Sequence, residues 1–331
     1  MLKYYIYIQK MKKHDPLFLS AIFLLVAINI LIVGCTPQPF STDWREVPSG
    51  TTYDLHDVKM VTPDTGFIVG GAQWSYGLIL RTIDGGANWQ KVQETGSEIN
   101  AISFANRREG VAVGQAGKFY MTDDRGASWQ FQQAQWERYR GIAHYDRDHA
   151  VAVGGKAYGW GMSSTSRNYD NYNTFDTINH ELSAVAMLSP TDAVAVGYGF
   201  LGKSTDGGRT WQPRNVTGDF LTAVHFPSRS VGYTVGTSGG IWRTDDGGDT
   251  WRKLREPNQI GNAAHFRGVF FSTETDGYAC GDNGLLWKTT DSGKTWRTLQ
   301  KLPKTQWNAV FVQRGKGFVV GNEGKIVQFN D

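Results

Sequence analysis

From residue 55 onward the chain repeats one arrangement of apolar and polar positions. Each repeat opens with an apolar residue, a polar one, usually a small one, and then Val or Ile. The seven openers are Leu55-His56-Asp57-Val58, Ile99-Asn100-Ala101-Ile102, Tyr139-Arg140-Gly141-Ile142, Leu182-Ser183-Ala184-Val185, Leu221-Thr222-Ala223-Val224, Phe266-Arg267-Gly268-Val269 and Trp307-Asn308-Ala309-Val310. A β-rich phrase ending in glycine follows each opener, as in Phe67-Ile68-Val69-Gly70 and Val111-Ala112-Val113-Gly114. Its glycines, Gly70, Gly114, Gly154, Gly197, Gly236, Gly281 and Gly321, are 44, 40, 43, 39, 45 and 40 residues apart. Short apolar runs bounded by glycine and polar clusters predict strands.

A third phrase recurs five times, as Thr82-Ile83-Asp84-Gly85-Gly86-Ala87-Asn88-Trp89 and its counterparts around Asp124, Asp206, Asp246 and Asp291. With a strand entering this phrase and one leaving its tryptophan, each unit reads as four short strands. Four strands in about 40 residues are the signature of a propeller blade, and seven units predict an all-β, seven-bladed β-propeller. The seventh unit stops at Phe329-Asn330-Asp331, before a fourth strand. Asp43-Trp44-Arg45-Glu46-Val47 matches the end of the phrase plus the strand after it, as in Thr250-Trp251-Arg252-Lys253-Leu254. The amino-terminal strand is therefore expected to complete the last blade, and ring closure removes exposed sheet edges. The propeller then spans 43–331.

These phrases resemble the Asp-box (BNR) repeat proteins, and most closely the photosystem II stability and assembly factor family of seven-bladed propellers. The resemblance implies a non-catalytic role in assembling or stabilising membrane protein complexes. It carries no implication that a photosystem is present, because the family extends to bacteria that do not photosynthesise.

Within an Asp box the carboxylate can accept N–H groups of its own loop while a glycine adopts positive φ. Asp84, Asp124, Asp206, Asp246 and Asp291 therefore read as structural staples, each in a different blade, and not as a catalytic or calcium cluster. The runs also lack the glutamate-terminated spacing of a calcium loop. Gly197-Tyr198-Gly199-Phe200-Leu201-Gly202 matches a dinucleotide fingerprint by string only: it joins two strands and no helix follows, so a hairpin turn is expected. Cys280 fills a slot held by Val113, Val196 and Val320 and reads as a buried hydrophobe. No metal, cofactor or nucleophilic constellation is visible. Sialidases share the Asp box, but their Arg-Ile/Leu-Pro phrase is missing here. Glycan binding or cleavage remains the alternative to a protein-binding scaffold.

In a four-stranded blade, turns 1–2 and 3–4 share one face, and turns 2–3 and the blade-to-blade links share the other. The Asp boxes occupy the first face, so recognition is expected on the second. There the openers place His56, Asn100, Arg140, Ser183, Thr222, Arg267 and Asn308 around the channel mouth. Two arginines and no carboxylate predict an electropositive mouth for an acidic or carboxylate-bearing partner group. The other reading is a hydrated channel capped by polar residues. Trp74, Trp136, Arg138 and Trp160 add side chains of the kind enriched in protein-binding hot spots. Blade three has Tyr158 to Phe175 where an Asp box is expected, either a recognition loop or aromatics packed over an irregular blade.

Ahead of the repeats, four lysines precede an apolar run from Leu17 to Val33 that ends in Ile32-Val33-Gly34-Cys35. That order matches a secretory signal, and the last four residues resemble the bacterial lipobox, which implies acylation of Cys35. Residues 1–35 are then the signal and 36–42 the tether, with attachment to the cell envelope, at the outer membrane if the cell has two. An uncleaved anchor is the other reading of the apolar run. The net charge of +3 comes from Lys3, Lys10, Lys12 and Lys13 against Asp15, which leaves 30 basic and 30 acidic residues beyond position 35. Nucleic-acid binding loses its electrostatic support.

Overall fold

The computed structural model describes residues 38–40, 43–155, 159–166, 168, 172–216, 218–256, 264–299 and 301–331. Cys35, Tyr158, Arg167 and Tyr169 lie outside them. Of the expected tether, Gln38–Phe40 is described and is a short strand. Residues Pro39–Asp331 form one compact unit.

This unit is a seven-bladed β-propeller. Blade one runs outward through Asp54–Met60, Gly66–Ala72, Tyr76–Thr82 and Gln90–Thr95, all antiparallel. The same order repeats from Ile99, Tyr139, Leu182, Leu221, Phe266 and Trp307. Seven apolar cores fill the seven interfaces between neighbouring blades. Second strands are apolar on both faces because each serves two interfaces: Val111 and Val113 pack toward blade three, and Ala112 packs toward blade one. Cys280 is part of the core between blades six and seven, and burial pushes its thiol up to about 12.

Trp44–Glu46 is the outer strand of blade seven, with Trp44 opposite Phe329, Arg45 opposite Gln328 and Glu46 opposite Val327. Val47 N–H donates to the Ile326 carbonyl at 2.9 Å, and Nη2 of Arg45 donates to Gln328 Oε1 at 2.7 Å. The Val47 side chain enters the core between blades seven and one. The ring closes as the sequence predicts.

Each Asp-box carboxylate is satisfied within its own loop. In the second, Asp124 Oδ1 accepts the Thr122 hydroxyl at 2.8 Å and the Ala127 and Ser128 N–H groups at 2.9 and 3.0 Å. The box also reaches backward. A Cβ on Gly86 would lie 2.3 Å from the ring of Phe318 in blade seven, and one on Gly126 equally close to Phe67 in blade one. Trp89 and Trp129 meet those same rings edge-on, at centroid distances of 6.0 and 5.9 Å. The box of one blade is thus seated on the blade before it.

Blade three has no Asp box and is nonetheless a regular four-stranded sheet, its outer hairpin formed by Gly161–Ser166 and Tyr172–Ile178. A hydroxyl relay joins it to the inner strand: Tyr139 lies 2.7 Å from Ser164, and Ser164 lies 2.6 Å from Thr174. Tyr172 packs on Phe119 and Phe175 lies under Arg209, so these two aromatics are spent on the fold. Tyr198 and Gly199 form the expected hairpin turn, with Gly199 at φ +63°.

Candidate functional site

The inner strand of every blade carries one β-bulge, at the same place. In blade one Leu55 pairs with Gly70 and Asp57 with Val69, so His56 is the extra residue. The same register shift leaves Asn100, Arg140, Ser183, Thr222, Arg267 and Asn308 as the extra residues of the other blades. The glycine that closes each second-strand phrase makes room for this bulge. On Gly70 a Cβ would stand 2.1 Å from the Asp54 carbonyl oxygen, and on Gly281 1.8 Å from that of His265. A bulge re-aims its extra side chain, and all seven line one central cavity of about 180 Å³.

What these side chains touch revises the expectation of a cationic mouth. Most reach sideways to the next blade. Asn100 Nδ2 donates to the Tyr139 carbonyl at 2.7 Å, Thr222 Oγ1 to that of Phe266 at 3.1 Å, and Asn308 Nδ2 to that of Leu55 at 2.8 Å. Arg140 donates to Glu181, which lies just before the blade-four opener. His56 Nε2 approaches Glu98, just before the blade-two opener, at 3.7 Å. Arg267 donates to Asp282 of its own 2–3 turn at 2.7 Å. Arg138 donates to Glu98 at 2.6 Å. The two ring arginines are therefore answered by carboxylates, and the ring positions fasten blades together as well as lining the mouth.

Burial would raise the Glu98 carboxyl, but contact with His56 and the charges of Arg138, His56 and Arg140 outweigh it and hold it below the usual range. Burial, together with the neighbouring Arg140 charge, lowers Arg138. Glu98, Glu181 and Asp282 were missed by the reading of the openers. Glu98 and Glu181 each stand one residue ahead of an opener, and that column held the signal.

Deeper in, the channel changes character. Lys59 lies over the Phe311 ring at 5.8 Å, Phe311 packs on Phe270 at 4.8 Å, and Phe270 packs on His225 at 4.6 Å. Burial, followed by repulsion from Lys59, takes His225 down to about 3. It is neutral, and its Nδ1 accepts the Phe271 N–H at 3.2 Å. Asp57 is the one acidic residue at a level where the other blades have Ala or Gly, and it accepts the Val58 and Ile102 N–H groups at 2.8 and 3.1 Å. Burial raises its carboxyl above the ordinary value. A second cleft, of about 790 Å³, follows the seam between the closing segment and blade one, where Tyr53 stacks on Tyr76 at 4.3 Å.

Trp74, Trp136 and Trp160 stand on loops of the face opposite the Asp boxes, at 62%, 66% and 65% exposure. Trp160 belongs to the 2–3 turn of blade three and not to the position of its missing Asp box. Tyr53, Tyr198 and Phe220 are exposed on the same face, the last two stacked at 4.0 Å. Among the described residues no group of three or more His, Cys, Asp or Glu side chains is placed to hold a metal ion.

The family model described as photosynthesis system II assembly factor YCF48 matches residues 36–135, 74–222, 216–304 and 257–330. The chain belongs to this family. Among solved structures, one described as YCF48 bound to a D1 peptide is 19% identical, with 89% of this chain and 99% of that chain covered and a TM-score of 0.71. YCF48 from Cyanidioschyzon merolae is 18% identical over 87% of this chain and 98% of that chain, with a TM-score of 0.65. The structure of U3-55K, at 10% identity, covers 87% of this chain and 98% of that one with a TM-score of 0.69. At these identities the likeness to the structures is one of fold. No curated protein matches the chain.

Proposed function

We propose that this YCF48-family propeller is a non-catalytic, polypeptide-binding scaffold that helps a membrane or envelope complex assemble or persist, and that its partner docks on the face opposite the Asp boxes. The observation that carries this reading is the asymmetry of the two faces. One is built from self-satisfied Asp-box turns. The other gathers the polar funnel, the Glu98–Arg138 pair and six exposed aromatic side chains. Aromatic and arginine side chains around a polar centre are the composition of protein-binding patches. A YCF48 structure bound to a D1 peptide supports a peptide as the kind of ligand. Of the carboxylates at the mouth, Glu98, Glu181 and Asp282 are engaged by arginines, and Asp57 is held by the Val58 and Ile102 N–H groups.

The reading includes export and acylation at Cys35, supported by the apolar run and by Ile32-Val33-Gly34-Cys35. Intact-mass analysis of the membrane-extracted protein tests this: the mature chain should begin at an acylated cysteine. For the partner, a photo-crosslinking residue replacing Ser183 at the mouth should capture one defined membrane protein from solubilised membranes, and the same probe replacing Ala87 on the Asp-box face should capture none. Equal capture from both faces, or hydrolysis of a glycan panel, would reject the scaffold.

A further inference from the structure

Below the ring of bulge residues, one position of every inner strand pairs with the first residue of the second-strand phrase. In blades five, six, seven and one this position holds His225, Phe270, Phe311 and Lys59, all half-buried. In blades two, three and four it holds Ser103, Ala143 and Ala186, which are small. One side of the channel thus carries four large side chains, and the other leaves space in front of them. Lys59, His225 and Phe270 line the central cavity of about 180 Å³, the share of about six water molecules in the liquid.

Two donors on the crowded side have no acceptor. The Lys59 ammonium lies over the Phe311 ring, and among the described residues it has no hydrogen-bond acceptor and no carboxylate at ion-pair distance. Asp57, on the same strand, directs its two oxygens to the Val58 and Ile102 N–H groups. His225 is neutral and its Nδ1 accepts the Phe271 N–H, so its one ring proton is on Nε2. No acceptor meets that proton among the described residues. An unanswered donor inside a protein costs free energy, and here two of them stand at the ends of one arc, with the rings of Phe270 and Phe311 between.

We propose that the channel below the ring binds a small organic monocarboxylate, its oxygens bonded to the Lys59 ammonium and the His225 Nε2–H and its hydrocarbon part against Phe270 and Phe311. A carboxylate accepts from an ammonium in a charge-assisted bond and from an imidazole N–H in an ordinary one. The charge at this level suits a single negative unit: Lys59 is the one cation, and with Asp57 nearby a second negative charge finds no partner. The two phenyl rings offer apolar surface to a short alkyl chain. The ring arginines above, engaged by Glu181 and Asp282, do not compete for the ligand. The site uses neither the exposed aromatics nor the rim and does not depend on the polypeptide partner.

The test titrates the full-length chain in detergent with sodium butyrate, with butyramide as the uncharged isostere and inorganic phosphate as the dianion. Calorimetry should show one butyrate site with a Kd of about 1 mM, and the other two compounds should bind about tenfold more weakly or less. With 15N-labelled histidine, the Nε2 signal of His225 should shift as the site fills, while that of His180, bonded through Nδ1 to the Tyr198 carbonyl at the surface, stays in place. Lys59→Met should weaken butyrate about tenfold or more without lowering the melting midpoint, since it replaces an unanswered ammonium with an apolar side chain against Phe311. Binding that survives Lys59→Met, or that leaves the His225 signal unmoved, would overturn the site. Butyramide or phosphate binding as tightly as butyrate would overturn it too, as would the lack of saturation in the unaltered chain. If Lys59→Met does not fold, the His225 signal of the unaltered chain decides by itself. None of these outcomes bears on polypeptide docking, which the crosslinking at Ser183 tests separately.

Discussion

In blade three the Arg140 guanidinium donates to the Glu181 carboxylate, which belongs to the segment leading into blade four. The ion pair crosses a blade interface at the edge of the channel mouth, with Arg140 about a third exposed and Glu181 nearly buried. Arg140→Glu places two carboxylates together and should lower stability by about 1–3 kcal/mol, less than a buried pair would because solvent screens the arginine. Combining it with Glu181→Arg should recover at least half of the loss. Urea denaturation of the four proteins measures this coupling; additive losses would show that the pair is not an interface tie.

The Asp-box glycine sits on the preceding blade, and the cost of a methyl group should depend on that seat. At Gly86 the added carbon meets the buried Phe318 ring and the backbone is left-handed at φ +80°. Gly86→Ala should cost about 2–4 kcal/mol. Gly50 has a similar φ of +72° with nothing within 4 Å, and Gly50→Ala should cost about 1 kcal/mol. Thermal unfolding of the two variants separates packing against the neighbouring blade from backbone strain.

Ring closure depends on a three-residue strand and the buried Val47 that follows it. A chain beginning at Pro48 exposes the edge of Ile326–Asn330 and empties part of the core between blades seven and one. Its melting midpoint should fall by about 10 °C or more, with concentration-dependent association through the open edge. Calorimetry and light scattering follow the two effects separately.

Acid should loosen the Asp boxes. Hydrogen bonds from Asn88 and Thr82 hold the Asp84 carboxyl down at about 2, and in Asp124 and Asp246 burial works the other way but the loop's own donors prevail, again giving about 2. A carboxyl depressed on folding stabilises the native state above its unfolded value, near 4, and that contribution is lost as pH falls toward 2. The urea midpoint should therefore decline through that window. Asp246→Asn should lower the midpoint at pH 6 and shallow the decline.

The architecture was open to reading because its causes are local. Second-strand glycines face a bulge within their own blade, and Asp-box residues bond within their own loop, so both appear as strings at a fixed period. The closing strand was legible for a related reason: Trp44-Arg45-Glu46 keeps the local pattern of an outer strand after its blade has been left behind. The electrostatics of the mouth were less legible. Arg140 and Glu181 are 41 residues apart, and their meeting depends on how neighbouring blades are set side by side. The same holds for Asn308 and Leu55, 253 residues apart, and for the seat of Gly86 on Phe318. Blade three shows the converse: its Asp box is missing from the sequence, yet the hydroxyls of Tyr139, Ser164 and Thr174 secure the sheet without one.

Arg45 meets Gln328 across 283 residues of chain. The strand Trp44–Glu46 therefore waits for Ile326–Asn330 before it finds its neighbour. Until then every nascent length is an open arc with a bare edge at each end, and a premature stop gives no smaller working disc but an arc that cannot shut. Synthesis of this protein is committed to its final residues in a way that a chain closed by a local hairpin would not be.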